Sequence, residues 1–406
     1  MTSSLASLAL GFVNAEIGDA AWPAGFRFAA GHCGIKRKAP DLMLATAAKA
    51  VSAAAVFTTN RLQAPPVRLS RAHLAASGGR VRALLVNSGN ANCATGAVGE
   101  RAARAMAART ARLLRCPVED VMVCSTGVIG RPLPVEKILA ALPAWMQKDD
   151  GALAAAQAIL TTDTCAKLAA AKFRDGGREY RVAGFAKGSG MIHPRMATML
   201  GFLFTDAPLT PRACERALRQ AVERSFHRIT VDGDTSTNDT AALFASGAGR
   251  LSAAGALRLQ AALEEVAQSL ARQIVLDGEG ASHFVTVQVE GARNASDADR
   301  AARAIAHSPL VKTALAGADA NWGRVLAAAG YSGAQFDAER AEIWFSKLPV
   351  YRKGRALPFD EAEAKRRLDQ PEVEVRIHLH AGTAETWMWT CDLTEGYIKI
   401  NGSYRT

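Results

Sequence analysis

In the first half of the chain, short apolar runs alternate with amphipathic segments. Residues 83–86 and 121–124 are continuous apolar runs, which are typical of buried strands. Between them, residues 100–114 place apolar or small side chains at three- and four-residue spacing, which predicts a helix. Residues 211–226 predict another helix, because Thr210 can cap it and proline suits its first turn.

The second half is richer in strictly alternating positions. Residues 285–290, 373–380 and 387–393 alternate apolar with polar side chains, which predicts three half-buried strands. We expect the last two runs, joined through Gly382, to form a hairpin. A further helix is predicted from an apolar stripe. That stripe is Leu259, Leu263, Val266, Leu270 and Ile274. The two halves together predict a mixed α/β fold.

The composition excludes several classes of protein. Of 406 residues, 49% are apolar and 21% are charged, as in soluble globular proteins. No apolar run approaches the ~18 residues of a membrane-spanning helix, so no membrane association is expected. The seven cysteines show no CxxC spacing, which argues against a zinc site or a disulfide framework. We therefore expect a cytoplasmic protein with reduced cysteines.

The net charge of +11 raises the question of nucleic-acid binding. Its distribution argues against that function, because tight basic clusters such as residues 36–38 are few and aromatic residues make up just 6% of the chain. The positive charge suits acidic small-molecule substrates instead. Neither GxxxxGK[ST] nor GxGxxG is present, so no nucleotide cofactor is expected.

An acidic run near the middle resembles a calcium loop at first sight. It contains Asp232, Asp234, Asn238 and Asp239, but Thr237 stands at the position where an EF-hand needs Gly. Leu243 stands where the EF-hand needs its bidentate Glu. We interpret the run as a polar structural turn and expect no metal ion.

Residues 187–200 carry the most specific chemical signal. Two glycines and Pro194 precede Ala197, and the hydroxyl of Thr198 follows. This string is compatible with an ordinary loop and with a strained turn that cuts itself between Ala197 and Thr198. Cleavage would make Thr198 an N-terminus, whose α-amine, with a pKa near ~8, can take the proton of its own hydroxyl. Spacing alone leaves both interpretations open.

The full string resembles the self-cleavage site of the ornithine acetyltransferase family, also called glutamate N-acetyltransferase. That family is cut before the Thr of a Met-Ala-Thr-Met-Leu core, which stands here at residues 196–200. Other motifs resemble the family in the same order along nearly the whole chain. They lie at residues 25–26, 34–36, 41–42, 57–61, 87–92, 125–130, 161–164, 231–239, 277–280, 321–324 and 400–406. No single motif is decisive, but the set is highly specific.

The resemblance implies an αββα-type layered sandwich of the N-terminal-nucleophile type, with two sheets between helix layers. It implies a first chain, residues 1–197, and a second chain, residues 198–406, which stay interwoven after cleavage. Two copies of each are expected to associate. The implied reaction moves an acetyl group from N2-acetylornithine to glutamate through an acetyl ester on Thr198, in arginine biosynthesis. Acetyl-CoA is a further candidate donor.

The family's functional residues map onto this sequence motif by motif. Thr198 matches the nucleophile, and Thr126 with Gly127 matches the pair that stabilises the oxyanion. From the sequence alone, residues 125–127 are also compatible with a turn that starts a helix. The substrate-binding positions of the family match Thr161, Lys187, Thr198, Glu279, Asn401 and Thr406. Lys187 would suit an α-carboxylate, and Glu279 the side-chain ammonium of ornithine.

Three positions depart from the family pattern, namely His193, Arg195 and Arg405. We expect them to affect the rate of cleavage and the specificity for the substrate's side chain, but not the identity of the nucleophile. One alternative function is an amidase or aminopeptidase that shares the Thr nucleophile but lets water resolve the ester. A non-catalytic basic binding protein is another alternative.

Overall fold

The computed structural model describes residues 21–193 and 199–403. These residues form two compact units. The large unit contains the described residues up to 227 together with residues 234–274, and the small unit contains residues 228–233 and 275–403. Each unit has its own β-sheet and its own helices.

The sheet of the large unit has eight strands, in the order β4-β3-β2-β8-β7-β6-β5 with β1 paired to β2. The strand pairs β3–β4 and β7–β8 are parallel, and the remaining neighbours are antiparallel. The strands are β1 (Phe26–Gly31), β2 (Leu42–Phe57), β3 (Arg80–Asn90), β4 (Val121–Val128), β5 (Lys167–Asp175), β6 (Arg178–Lys187), β7 (Leu200–Thr205) and β8 (Thr240–Ala245).

Helices cover this sheet. They are α1 (Pro65–Ala76), α2 (Gly96–Leu114), α3 (Val135–Trp145), α4 (Gly151–Ala158), α5 (Pro211–Glu223) and α6 (Ala253–Leu276). Consecutive residues of β2 point to opposite faces of the sheet, because side chains alternate along a strand. Leu42 and Leu44 join a core with α2 and α3, whereas Met43 and Ala45 join a core with α4. A strand buried on both faces therefore reads as a continuous apolar run.

The small unit is a six-stranded sheet in the order β12-β11-β10-β13-β9-β14. Its strands are β9 (Phe284–Ala292), β10 (Glu342–Phe345), β11 (Leu348–Arg352), β12 (Arg355–Ala356), β13 (Glu372–His378) and β14 (Ala384–Cys391). Its helices are α7 (Ala295–His307), α8 (Pro309–Ala316), α9 (Trp322–Tyr331), α10 (Glu361–Leu368) and α11 (Glu395–Ser403). The alternating Val285, Val287 and Val289 of β9 enter a common core with Ala301 and Ile305 of α7.

The layered mixed α/β class predicted from the sequence is confirmed, but the predicted hairpin at the C-terminal end is wrong. The two alternating runs are strands β13 and β14, yet both pair with β9, which lies between them. Their connection crosses the end of β9, where Ala381 and Gly382 donate to the carbonyl of Gly291. A Cβ on Gly382 would lie 2.6 Å from the carbonyl oxygen of Ala292, so the crossing requires glycine.

The boundary between the two predicted chains falls inside the large sheet. Strand β6 ends at Lys187, and β7, which begins at Leu200, pairs antiparallel with it. The other neighbour of β7 is β8. Strands β1 to β6 therefore precede the Ala197–Thr198 bond in the chain, and the adjacent β7 and β8 follow it. No helix in the described ranges is long and apolar enough to cross a membrane.

Candidate active site

The connection from β6 to β7 contains the predicted cleavage site. Ala197 and Thr198 lie outside the described residues, as does Arg195, but the residue that follows them is firmly held. The amide of Met199 donates to Asp239 Oδ1 at 2.9 Å, and its carbonyl accepts from the amide of Thr240 at 3.2 Å. Because β7 runs parallel to β8, both contacts lie where these two strands begin.

Asp239 is a buried carboxyl with one unsatisfied oxygen. Only 1% of its surface is exposed, and its Oδ2 has no hydrogen-bond partner among the described residues. Burial raises the pKa of the Asp239 carboxyl well above its ordinary value, although the Met199 amide and Lys187 act in the opposite direction. Burial therefore favours protonation of Asp239 at pH values where an exposed Asp would already be ionised.

Thr126 and Gly127 lie at the end of β4, where it runs beside β3. Gly127 has a φ of +127°, and a Cβ there would lie 2.4 Å from the carbonyl carbon of Gly89. The close approach of two backbones makes glycine necessary at this position. The polar Ser125 and Thr126 are buried, whereas Gly127 and Val128 at the end of the strand are half-buried.

The end of β4 is tied to the residue next to Asp239. The side-chain amide of Asn238 donates to the carbonyls of Ser125 at 2.8 Å and Ala91 at 2.7 Å. Ser125 is adjacent to Thr126, and Asn238 is adjacent to Asp239. A continuous chain of bonded groups therefore links the predicted oxyanion pair to the anchor of Met199. Asn238 and Asp239, which make these contacts, belong to the polar run that we interpreted from the sequence as a structural turn.

Lys187 and Thr161 meet at a second buried carboxylate, Asp163. Its oxygens accept from Lys167 Nζ at 2.8 Å, the Gly188 amide at 2.6 Å and the Thr161 amide at 3.0 Å. Lys187 Nζ lies 3.9 Å away. Burial alone would raise the pKa of the Asp163 carboxyl, but Lys167 and Lys187 outweigh it and hold that pKa far below its usual range.

Lys36 is a further site residue that the sequence did not single out. Its Nζ donates to the carbonyls of Leu160 at 2.6 Å and Pro40 at 2.9 Å. Burial lowers the pKa of Lys36 to about 8, against the opposing charges of Asp41 and Asp163. A Cβ on Gly89 would lie 2.9 Å from Lys36 Cγ, so this side chain lies against the strand that adjoins Gly127. The sequence signal that could have identified Lys36 is the motif at residues 34–36.

The small unit brings together two other predicted residues. The side-chain amide of Asn401 donates to Glu279 Oε2 at 2.8 Å and to the carbonyl of Tyr397 at 3.1 Å. Glu279 is 8% exposed. The next residue, Gly280, has a φ of +71°, and a Cβ there would lie 2.3 Å from the Tyr397 nitrogen. The backbone at Gly280 thus fits closely beneath α11. Thr406 lies outside the described residues.

Cysteines and metal ligands add no further chemistry to these groups. All seven cysteines are described, and each is a free thiol. Burial raises the pKa of the Cys124 thiol to about 12, which keeps it protonated and unreactive. Across the described residues, no three His, Cys, Asp or Glu side chains come together as a metal site.

Comparisons with known proteins agree on one family. The model of the ArgJ family matches residues 27–406. The arginine biosynthesis bifunctional protein ArgJ of Chlorobaculum tepidum is 48% identical over 95% of this chain and 96% of its own length. The protein of the same name from Thermus thermophilus is 49% identical over 95% of this chain and 99% of its own length.

Two solved structures are also similar to parts of this chain. An ArgJ structure from Bacillus halodurans is 38% identical, with a TM-score of 0.49, over 51% of this chain and 100% of that one. The ornithine acetyltransferase of Mycobacterium tuberculosis, solved with ornithine, is 34% identical, with a TM-score of 0.36, over 42% of this chain and 92% of that one.

Proposed function

The chain belongs to the ArgJ family of arginine biosynthesis, and we propose that it moves an acetyl group from N2-acetylornithine to glutamate through an ester on Thr198. One observation carries the proposal beyond the family match. Met199, the neighbour of the nucleophile, is held by Asp239, and Asn238 beside it holds the end of β4 that carries Thr126 and Gly127. This bonded network supports the proposal, because it connects the residue that follows the predicted nucleophile with the strand that carries the predicted oxyanion pair.

In the first half-reaction, the α-amine of Thr198 takes the hydroxyl proton while the oxygen attacks the acetyl carbonyl. The carbon–nitrogen bond breaks, and ornithine leaves with that proton. In the second half-reaction, the amine of glutamate attacks the ester, N-acetylglutamate leaves and the hydroxyl is restored. We assign the Thr126 hydroxyl and the Gly127 amide to the oxyanion, where one such donor contributes roughly 3–4 kcal/mol.

The amino-acid substrate needs counter-charges at both of its ends. We assign Lys187 and Thr161 to the α-carboxylate, because Asp163 gathers both of them at one place. We assign Glu279 and its partner Asn401 to the side-chain ammonium of ornithine, and we keep Thr406 as a substrate-binding residue on the resemblance alone. The bond from Asn401 fixes one oxygen of Glu279 and thereby orients the carboxylate. Lys36, which is partly deprotonated near pH 8, would add positive charge to the carboxylate end at lower pH.

We further propose that the chain cuts itself before Thr198 into chains 1–197 and 198–406. Strand β7 lies between β6 of the first chain and β8 of the second, so neighbouring strands of one sheet would keep the two chains together. We expect two copies of each chain in a cytoplasmic assembly. Acetyl-CoA is the second candidate donor of the acetyl group.

The decisive experiment measures ornithine release from N2-acetylornithine by the purified protein, with and without glutamate. Release that depends on glutamate, with N-acetylglutamate formed in equal amount, supports the transferase. Equal release in its absence would make the protein an amidase. A parallel assay with acetyl-CoA and glutamate tests the second donor. N-terminal sequencing should show a second chain that begins Thr-Met-Leu-Gly-Phe, and Thr198→Ala should leave one uncut, inactive chain.

A further inference from the structure

Asp239 is a buried carboxyl that the proposed reaction does not yet use. Its Oδ1 accepts from the amide of Met199 at 2.9 Å. That amide nitrogen is bonded directly to the carbonyl carbon of Thr198, so covalent geometry places it about 2.4 Å from the Cα of Thr198. The carboxyl therefore binds the residue that directly follows Thr198, which would supply the α-amine and the nucleophile.

The second oxygen of this carboxyl is unsatisfied, although it is buried. Asp239 Oδ2 has no hydrogen-bond partner among the described residues. Buried polar atoms nearly always have a partner, and one without a partner requires an explanation, of which a catalytic role is one. The other side of the network is complete, because Asn238 uses its amide on two backbone carbonyls and Thr240 bonds Met199. The unsatisfied oxygen points to a donor that appears only when the chain is cut.

We propose that Asp239 is a positioning residue whose carboxylate holds the α-amino group of Thr198 in the cut protein. This inference rests on the proposed function, which supplies the cleavage and the role of the amine. Before cleavage, the Thr198 nitrogen is an amide with a single hydrogen. Cleavage turns it into an amine, which can donate to Asp239 Oδ2 while Oδ1 keeps its bond to the next amide along the chain.

The pairing would matter when charge appears on the amine. As the Thr198 hydroxyl attacks, its proton moves to the α-amine and an ammonium forms. That ammonium later gives the proton to the leaving nitrogen of the substrate. A carboxylate beside the ammonium stabilises it and fixes its direction, as the acid of a catalytic triad does for an imidazolium. Asp239 would thus act through the amine and without touching the substrate.

The surroundings of Asp239 determine the sign of the pH effect. Lys187 of β6 is a charged group that faces it, and the Met199 amide and Ser236 hydroxyl are further neighbours. A carboxylate next to the amine raises the pKa of the α-ammonium, whereas Lys187 lowers it. Replacing Asp239 by a neutral residue removes only the first effect. The base would then remain unprotonated, and hence active, at lower pH.

The test compares Asp239→Asn and Asp239→Glu with the wild-type protein. Mass spectrometry first measures the cut fraction, and rates are normalised to it. For cut Asp239→Asn, we expect kcat to fall about tenfold or more with little change in KM, since a positioning group acts mainly in the transition state. The acid limb of kcat/KM against pH should move down by about one pH unit or more. Asp239→Glu should keep the limb near the wild-type position.

Asp392→Asn is the matched control, because Asp392 is also buried and accepts bonds from Ser282 and His283 in the small unit. It should lower stability without moving the acid limb. An unmoved limb or a wild-type kcat in cut Asp239→Asn would overturn the proposal. If that variant stays uncut, Asp239→Glu decides, and a limb one unit lower in it would also overturn the proposal. Failure of both to cut, although folded by circular dichroism, would mean that the carboxyl acts before an amine exists.

The wild-type protein separates this inference from the proposed function. If it carries no Thr198 N-terminus, or releases no ornithine, the proposed function fails whatever Asp239 does. If it is cut and active while the limb of Asp239→Asn stays in place, only the positioning role fails.

Discussion

Two buried carboxyls accept from the backbone at the two ends of the β6–β7 connection, Asp163 from Gly188 and Asp239 from Met199, and their surroundings are opposite. Asp163 is met by two lysines and two backbone amides, so its charge is stabilised and its pKa lies far below the usual range. Asp239 has the Met199 amide, the Ser236 hydroxyl and the charge of Lys187 near it, but its Oδ2 is unsatisfied and burial raises its pKa despite them. A buried charge whose hydrogen bonds are all satisfied stabilises one arrangement of its neighbours. An unsatisfied buried oxygen can still accept a hydrogen bond from a new donor.

The largest expected effect is on stability, on the Asp163 side. Asp163→Asn would leave Lys167, which is fully buried, without its carboxylate partner. Breaking a buried pair by removing one member costs about 3–5 kcal/mol. We expect urea unfolding to show a loss of this size at pH 7, and Lys167→Met in the same chain to recover part of it. A loss below about 1 kcal/mol would show that this pair does not hold the site together.

The second effect is on turnover, on the Asp239 side, where Asn238 holds the end of β4. Thr126→Ala should lower kcat by roughly 10²-fold with less change in KM, because an oxyanion donor acts mainly in the transition state. Steady-state rates of ornithine release measure it. Thr110→Ala is the control, since that buried hydroxyl bonds only within α2, to Met106 at 2.9 Å. A normal kcat in Thr126→Ala would return Thr126 to a purely structural role.

The third effect is on substrate affinity and concerns a carboxylate in the small unit. One oxygen of Glu279 is held by Asn401, and a charge-assisted bond to the ornithine ammonium contributes roughly 1.5–3 kcal/mol. Glu279→Gln should therefore raise KM for N2-acetylornithine about ten- to a hundredfold. The glutamate half-reaction should respond differently, because its side chain is anionic. The exposed Glu374→Gln is a control, and equal small effects on both half-reactions would remove Glu279 from ammonium binding.

Local signals in the sequence predicted the elements but not their neighbours. The apolar runs at residues 83–86 and 121–124 lie within β3 and β4, and residues 100–114 lie within α2. Alternation shows which face of a strand is buried, yet it does not say which strand lies beside it. The hairpin expected through Gly382 failed for that reason, since β9 arrives from about ninety residues earlier in the chain.

For the candidate site too, the sequence predicted individual residues but not the contacts between them. Motif resemblance pointed to Thr126, Gly127, Thr161, Lys187, Glu279 and Asn401, each of which carries a recognisable local string. It did not predict that Asp163 would gather Thr161 with Lys187, or that Lys36 would lie against Gly89. Those contacts depend on tertiary folding, and a lone Lys or Asp in a sequence is usually a solvated side chain.

The last effect, which is smallest for each pH unit, sharpens the comparison between the two carboxyls in the uncut chain. Thr198→Ala supplies a chain without cleavage, in which Asp239 keeps its raised pKa. A group whose folded pKa is raised stabilises the protein fully below its unfolded pKa, near ~3.9 for Asp, and loses that contribution as pH rises through the folded pKa. Asp163, with a lowered pKa, behaves oppositely and contributes its full share above that value.

The measurement is urea unfolding of Thr198→Ala and of Thr198→Ala with Asp239→Asn, between pH 4 and 7. Every other titrating group is common to both chains, so the difference isolates Asp239. Stability of the single variant should fall relative to that of the double variant by up to about 1.4 kcal/mol per pH unit, which is the limit for one proton. Parallel curves would mean that Asp239 is ionised in the uncut chain. The two carboxyls would then be alike before cleavage, and the contrast between them would have to arise afterwards.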